Sequence, residues 1–198
     1  SNGQYFLSLS SRNQIKNTHL YSTLFIDEIK VSSMFNKTER RNQLGYNLGG
    51  SITDVFIPYL SLGAEYTRVN PFVYSNLMSA QTYTSYNYSL GDWMGNNFDK
   101  TILFVKYTPI SKLKLVARYQ KIRKGGAGTI YEQYTAQPQP SFLFDYMKNR
   151  SDIFLQARYE YINNVYINSS LTFMQTKLAN DALIKDNTYQ LGISVGLP

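Results

Sequence analysis

Apolar and polar residues alternate one by one along much of this chain, and that regularity restricts the folds open to it more than any other feature. In the run QLGYNLGGSIT, Leu44, Tyr46, Leu48, Gly50 and Ile52 fall on one side, with Gln43, Gly45, Asn47, Gly49 and Ser51 on the other. A period of two is the signature of a strand with one apolar and one polar face, because successive side chains of a strand point to opposite sides. The pattern recurs in Leu60–Thr67, Leu113–Gln120, Asp152–Tyr161, Val165–Phe173 and Tyr189–Leu197. Less regular strands are expected at 5–10 and 20–29, and one at 100–107 is apolar on both sides. About nine strands result, with no convincing helix.

Composition agrees with a β-rich chain. Aromatic residues make up 15% of its 198 residues and tyrosine occurs 18 times, while mean hydropathy is -0.33. Aromatic residues favour pleated, half-buried surfaces. No apolar run is long enough for a membrane-spanning helix, but a membrane barrel escapes hydropathy because its lipid-facing residues are diluted by lumen-facing ones. With no cysteine, disulfide frameworks, cysteine zinc sites and thiol nucleophiles are excluded. The net charge of +7 favours anionic partners, but the basic residues are scattered and carry no nucleic-acid motif, so no nucleic-acid partner is expected.

The links between strands alternate in length. Those near 54–58, 109–111 and 162–164 read as tight turns; those near 32–41, 70–99, 125–150 and 177–186 read as long loops. An up-and-down antiparallel meander with tight turns at one end and long loops at the other is the plan of an outer-membrane barrel, with long loops extracellular and the C-terminus periplasmic. The polar faces carry Glu65, Lys114, Arg118, Arg158 and Glu160, charges suited to a wet lumen and costly toward lipid. Single-chain bacterial barrels normally close with an even number of strands. The expectation is therefore a transmembrane β-barrel domain over residues 1–198 that forms the C-terminal part of a larger barrel, its earlier strands and signal peptide lying outside this sequence. A soluble sandwich or lipocalin-like barrel is the alternative fold.

No catalytic constellation emerges, and no cofactor or metal is expected. Gly125-Gly126-Ala127-Gly128 lacks the Gly-Lys-Ser/Thr ending of a phosphate loop, and no helix is expected after it. His19 is the only histidine, and nothing in the sequence selects a serine to pair with it. Asp27 and Glu28 are adjacent on a strand and point to opposite faces, which spoils them as an acid and base pair.

The long loops are instead dense in aromatic and amide side chains, as in NPFVYSNLMSAQTYTSYNYSLGDWMGNNFD. Rings stack on the apolar faces of sugars, while Asn, Asp, Gln and Arg pair with hydroxyls. The segments EYTRVNPFVYS, YTSYNYSLGDWMGNNFDK and RYQKIRKG resemble the capsule-assembly Wzi family in its Bacteroidetes form. The matching elements are Tyr66-Thr67-Arg68-Val69-Asn70-Pro71, then Leu90-Gly91 with Gly95, Asn97 and Asp99, and Arg123-Lys124-Gly125. The resemblance implies an outer-membrane barrel of about eighteen strands, lectin-like and non-enzymatic, that helps hold capsular polysaccharide at the cell surface.

The contacts expected from the loop composition and this resemblance are Arg68, Tyr83, Tyr86, Tyr88, Trp93, Asn96 and Asn97. Expected partners are capsular or other surface polysaccharide, outer-membrane lipid and lipopolysaccharide, and envelope proteins. A porin or solute channel, a structural subunit of an outer-membrane complex and, last, a lipid-modifying enzyme are the alternative functions. Trp93 is expected either to anchor a loop lid or to form a sugar platform.

Overall fold

The computed structural model describes residues 4–29, 42–78, 82–86 and 88–196. The elements in chain order are β1 (Tyr5–Arg12), β2 (Thr18–Ile29), β3 (Asn42–Thr53), β4 (Leu60–Val69), β5 (Thr84–Ser85), β6 (Tyr88–Ser89), β7 (Phe98–Ile110), β8 (Leu113–Lys124), α1 (Ile130–Thr135), β9 (Lys148–Ile162), β10 (Val165–Leu178) and β11 (Leu183–Val195). Nine strands form one antiparallel sheet in the order β1-β2-β3-β4-β7-β8-β9-β10-β11, and β5 and β6 pair as a separate small hairpin. Every sheet neighbour is also the neighbour in sequence, apart from that inserted hairpin. The sheet is open: β1 and β11 are its two edges and do not pair with each other.

The alternation read from the sequence is the alternation of the two faces. Leu44, Tyr46, Leu48 and Ile52 share a side of β3, and cross-strand register joins them to Leu62, Ala64 and Tyr66 on β4 and to Leu103 and Val105 on β7. Much of this apolar side is exposed, including Leu48, Ile52, Leu103, Val105, Ile153, Leu155, Ile167 and Phe173. The small residues Gly50, Ala64 and Ala117 leave a shallow apolar depression of about 780 Å³ on it. No second layer of secondary structure covers that side among the described residues.

The opposite side carries the polar network. Tyr21, Gly49 and Glu65 stand in register across β2, β3 and β4. The Tyr21 ring passes over Gly49, where a Cβ would lie 2.1 Å from it, and its hydroxyl donates to Glu65 at 2.6 Å. Glycine there is a requirement of that close approach. Asn47 donates to Thr67, and buried Asp152 gathers Arg118, Arg150 and Gln120 around its carboxylate. Arg118 also lies over the Phe154 ring and Arg158 over the Tyr166 ring, while Glu160 accepts the Asn164 amide at 3.1 Å. Lys114 stands opposite Arg158 in the ladder. All five charges expected on this side are therefore there, four of them engaged by a neighbour.

Tight links of 13–17, 54–59, 111–112 and 163–164 lie at one end of the sheet, and the longer links 70–97 and 125–147 at the other. Two expectations change. The link expected near 177–186 is only 179–182, because β10 and β11 run on with Leu178 bonded to Ala182 and Asp181 in a left-handed turn at φ 62. A six-residue helix, α1, also follows the glycine run. Its signal was present in the sequence as Thr129-Ile130-Tyr131-Glu132: Thr129 Oγ1 accepts from Glu132 N, and the Glu132 carboxylate accepts from Thr129 N, a capping box. The loop expected at 32–41 falls outside the described residues.

The hydrophobic core sits at the long-loop end. Phe25, Gly45, Val69 and Phe98 form one row across β2, β3, β4 and β7, on the side of the sheet that also bears Tyr21 and Glu65. Phe25, Val69 and Phe98 pack with Ile122 of β8 and with Val73, Met94 and Tyr74 from the loop over 70–97. The core is thus made between the polar side of the sheet and the folded loops, where strand residues turn apolar just as the loops arrive.

Candidate functional site

Two loops build the surface at this end, and Asn97 makes the most bonds between them. Asn97 is fully buried, with φ 52, a backbone region that asparagine tolerates better than most residues. Its Nδ2 donates to Gly126 O at 2.8 Å and Phe144 O at 3.2 Å, and its Oδ1 accepts from Leu143 N at 2.7 Å. Its own backbone N donates to Asn70 O, and its carbonyl accepts from Gly125 N. Asn96 beside it is buried as well, donating to Ala127 O at 3.3 Å while its carbonyl accepts from Lys124 Nζ. Phe72 and Phe144 stack between the loops at 5.6 Å, and Gln133 of α1 donates to Ser75 O.

These bonds decide the glycine run. Gly125 N and Gly126 N are consumed by Asn97 O and Phe144 O, so they are not free donors for a phosphate even though α1 follows.

Tyr74 and Tyr83 stack at 5.6 Å, and both rings lie against Phe25. Tyr74 is anchored through its backbone N to the buried Asp27 carboxylate at 2.8 Å, which also accepts from Gln4. Burial, above all, pushes the Tyr74 hydroxyl above the ordinary tyrosine value of 10.0. Asp27, passed over in the sequence because its neighbour faces the other way, is the residue that pins this loop to β2. Glu28 accepts from Gln43 at 3.4 Å.

Trp93 is different from its neighbours. Asp92 Oδ1 accepts Met94 N and its Oδ2 pairs with Lys100 at 3.3 Å, while Gly95 takes φ 72 and bonds back to Asp92 O. That turn drives Met94 into the core and leaves the Trp93 side chain 68% exposed. The indole does not pin the loop; Met94, Asn96 and Asn97 do. Tyr86 and Tyr88 of the small hairpin are likewise exposed. Of the seven expected contact residues, Trp93, Tyr86 and Tyr88 present open rings, Tyr83 is half-buried in a ring stack, and Asn96 and Asn97 are spent on loop architecture.

Arg68 occupies a pocket. Its guanidinium lies 3.7 Å over the Phe142 ring, and its Nε donates to Asn70 Oδ1 at 3.0 Å. Asn70 in turn donates to Asn42 O. A cavity of about 210 Å³ opens here, between the ends of β3 and β4 and residues 139–142, with Arg68, Gln43, Gln133, Gln139, Ser141 and Phe142 among its walls. Gln133 is 1% exposed, and its Oε1 accepts no hydrogen bond from any described residue. Leaving a buried amide oxygen unpaired costs about 1–3 kcal/mol, a cost usually tolerated for a reason. Directly across the β4–β7 ladder from Arg68, Asp99 is saturated: Arg123 reaches it through Nε at 2.9 Å and through Nη2, and Tyr66 donates at 3.1 Å.

His19 has a hydroxyl partner after all, with Ser10 Oγ at 3.0 Å from Nε2, on exposed strands at the tight-turn end. No described carboxylate hydrogen-bonds the ring to orient it, so the nucleophile, base and orienting acid of a hydrolytic triad are not assembled. Among the described residues there is also no cluster of three metal-ligating side chains. No protein-family model matches the chain, and no curated protein or solved structure matches it significantly.

Proposed function

We propose that this chain is the wall and loop surface of an outer-membrane β-barrel, non-enzymatic, whose long loops face outward and bind surface or capsular polysaccharide. The observation that carries the reading is the division of labour between the ends and sides of one sheet. The strands of the nine-stranded sheet, 8 to 15 residues long, match or exceed the roughly 9–11 that cross a bilayer at a tilt in all but β1. An apolar side of that extent left uncovered needs a covering medium, and lipid meets the need without any further layer of protein. The two free edges are where a sheet of this kind takes on further strands, since an unpaired edge is a ready template; a larger barrel of about eighteen strands satisfies both. The resemblance to the Wzi family, on Tyr66–Pro71, Leu90–Asp99 and Arg123–Gly125, points the same way.

Two loops bonded together over the polar side favour an occluded, lectin-like mouth over an open porin. Open rings at Trp93, Tyr86 and Tyr88 beside buried, rigid loop junctions make a preorganised stacking surface, which costs little to order on binding. Binding of extracted surface polysaccharide to the wild-type protein is expected to weaken at least tenfold with Trp93→Ala and with Arg68→Ala. Equal binding by wild type and both variants would remove these two residues from the site, and conductance of the purified barrel at porin levels would replace the reading with a channel.

A further inference from the structure

The pocket around Arg68 is specific enough in its chemistry to say what kind of sugar it takes. Its volume of about 210 Å³ is below the roughly 300–1,000 Å³ of sites for drug-sized ligands. It suits one ring.

Among the described residues the charge in it is single and positive: Arg68 is the only charged residue of the described walls and enters no ion pair with another described residue. The neighbouring carboxylate that would otherwise quench it, Asp99, is already held by Arg123 and Tyr66, and Glu28 lies behind Gln43. Stacking on Phe142 fixes the guanidinium plane, and the bond to Asn70 uses only Nε, so the Nη pair remains as a fork. One such fork matches one carboxylate through two parallel hydrogen bonds. Among the described residues, a phosphate dianion would find no second cation on these walls.

The remaining polar side chains of the described walls are amides and a hydroxyl: Asn42, Gln43, Asn70, Gln133, Gln139 and Ser141. They supply donors and acceptors in the mixture that ring hydroxyls require, and the buried Gln133 Oε1 is an acceptor still lacking a donor. A slender acidic side chain of a peptide would satisfy Arg68 and leave Gln133 Oε1 without a donor. We propose that this pocket holds one carboxylate-bearing sugar, a uronate residue of an acidic polysaccharide. The inference rests on the reading of the loops as a glycan surface and names the residue that surface selects.

The test is titration of the full chain in detergent micelles with galacturonate oligosaccharides, with neutral galactose oligosaccharides of equal length, and with polyglutamate and inorganic phosphate as competitors. The uronate oligomer is expected to bind at least tenfold more tightly than the neutral one. Arg68→Gln abolishes that preference, and Arg68→Lys restores only part of it, because an ammonium does not reproduce the fork. Ser141→Glu, at an exposed position on the pocket wall, lowers uronate affinity tenfold through like charge and serves where Arg68 variants fold poorly. A preference that survives Arg68→Gln and Ser141→Glu, or equal displacement of the uronate by polyglutamate or phosphate, overturns the inference. Binding of neutral and acidic oligomers alike also overturns it and leaves the glycan reading standing, whereas binding of neither removes both.

Discussion

β7 and β11 belong to the same sheet and have the same length, 13 residues, yet they are almost opposite in environment. β7 begins with Phe98 and Asp99, both buried under the loops and paired across two neighbours; every residue of β11 is exposed. Their sequences do not foretell this difference, since both alternate in part and β11 carries Leu191, Ile193 and Val195 on its apolar side. What separates them is cover. β7 has a strand on each side and folded loops over one end, whereas β11 has one partner, β10, and nothing beyond it. Among the described residues, burial is therefore concentrated at the loop end, and no described residue covers the β11 edge.

The largest expected effect at the covered end comes from Phe98→Ala. Emptying the centre of this core is expected to cost about 3–5 kcal/mol, read as a lower denaturant midpoint with an unchanged slope, together with lost exchange protection over 70–97. Asn97→Ala is next, at about 2–4 kcal/mol, because two buried carbonyls and one amide lose their partner and some regain it from water. Its signature is local: residues 125–147 lose protection while β9 and β10 keep theirs. A uniform loss across the sheet would break the distinction between loop junction and wall.

A smaller effect is expected with pH. The Tyr74 hydroxyl is raised above 10.0 by burial, so the folded loop holds the neutral form more tightly than the unfolded chain does. Its contribution is complete below that value and is lost as pH rises through the higher folded one. Alkaline loosening of 70–97, followed by proton exchange, is expected in the wild type and absent in Tyr74→Phe. Least of all, Leu191→Ala in β11 should change the stability of this chain by under about 0.5 kcal/mol, as for any exposed site. In a completed barrel in lipid the same substitution is expected to cost more, and no change there would leave the edge uncovered.

The wall was legible in the sequence because a strand writes its two faces into consecutive residues. Leu44 through Ile52 against Gln43 through Ser51 is sufficient to place β3, and the tight links fix its neighbours. The ends were less legible. Leu178 and Leu183 extend β10 and β11 beyond the clear alternation, and Pro109 lies within β7 next to a register shift, where its missing amide is tolerated. The loop end was legible only in its composition, for a physical reason. Composition finds aromatic and amide residues but does not tell a ring left in solvent, such as Trp93, from an amide consumed by carbonyls 29 and 47 residues away, as Asn97 is. The pocket around Arg68 depends on Gln133 and Ser141, distant in sequence, and only the capping box at Thr129 hinted that the chain turns back there.

The central claim is that one side of this sheet faces lipid while the loop end faces outward. The chain has no cysteine, so single reporters can be placed cleanly. Trp93→Cys on the loop surface, Phe56→Cys in a tight turn and Leu103→Cys on the apolar side would be treated in intact cells with a membrane-impermeant maleimide. The account predicts labelling at position 93 in intact cells, at position 56 only after the outer membrane is opened, and at position 103 in neither case until detergent removes the lipid. Labelling of position 56 in intact cells, or of position 103 in the untouched membrane, would contradict it.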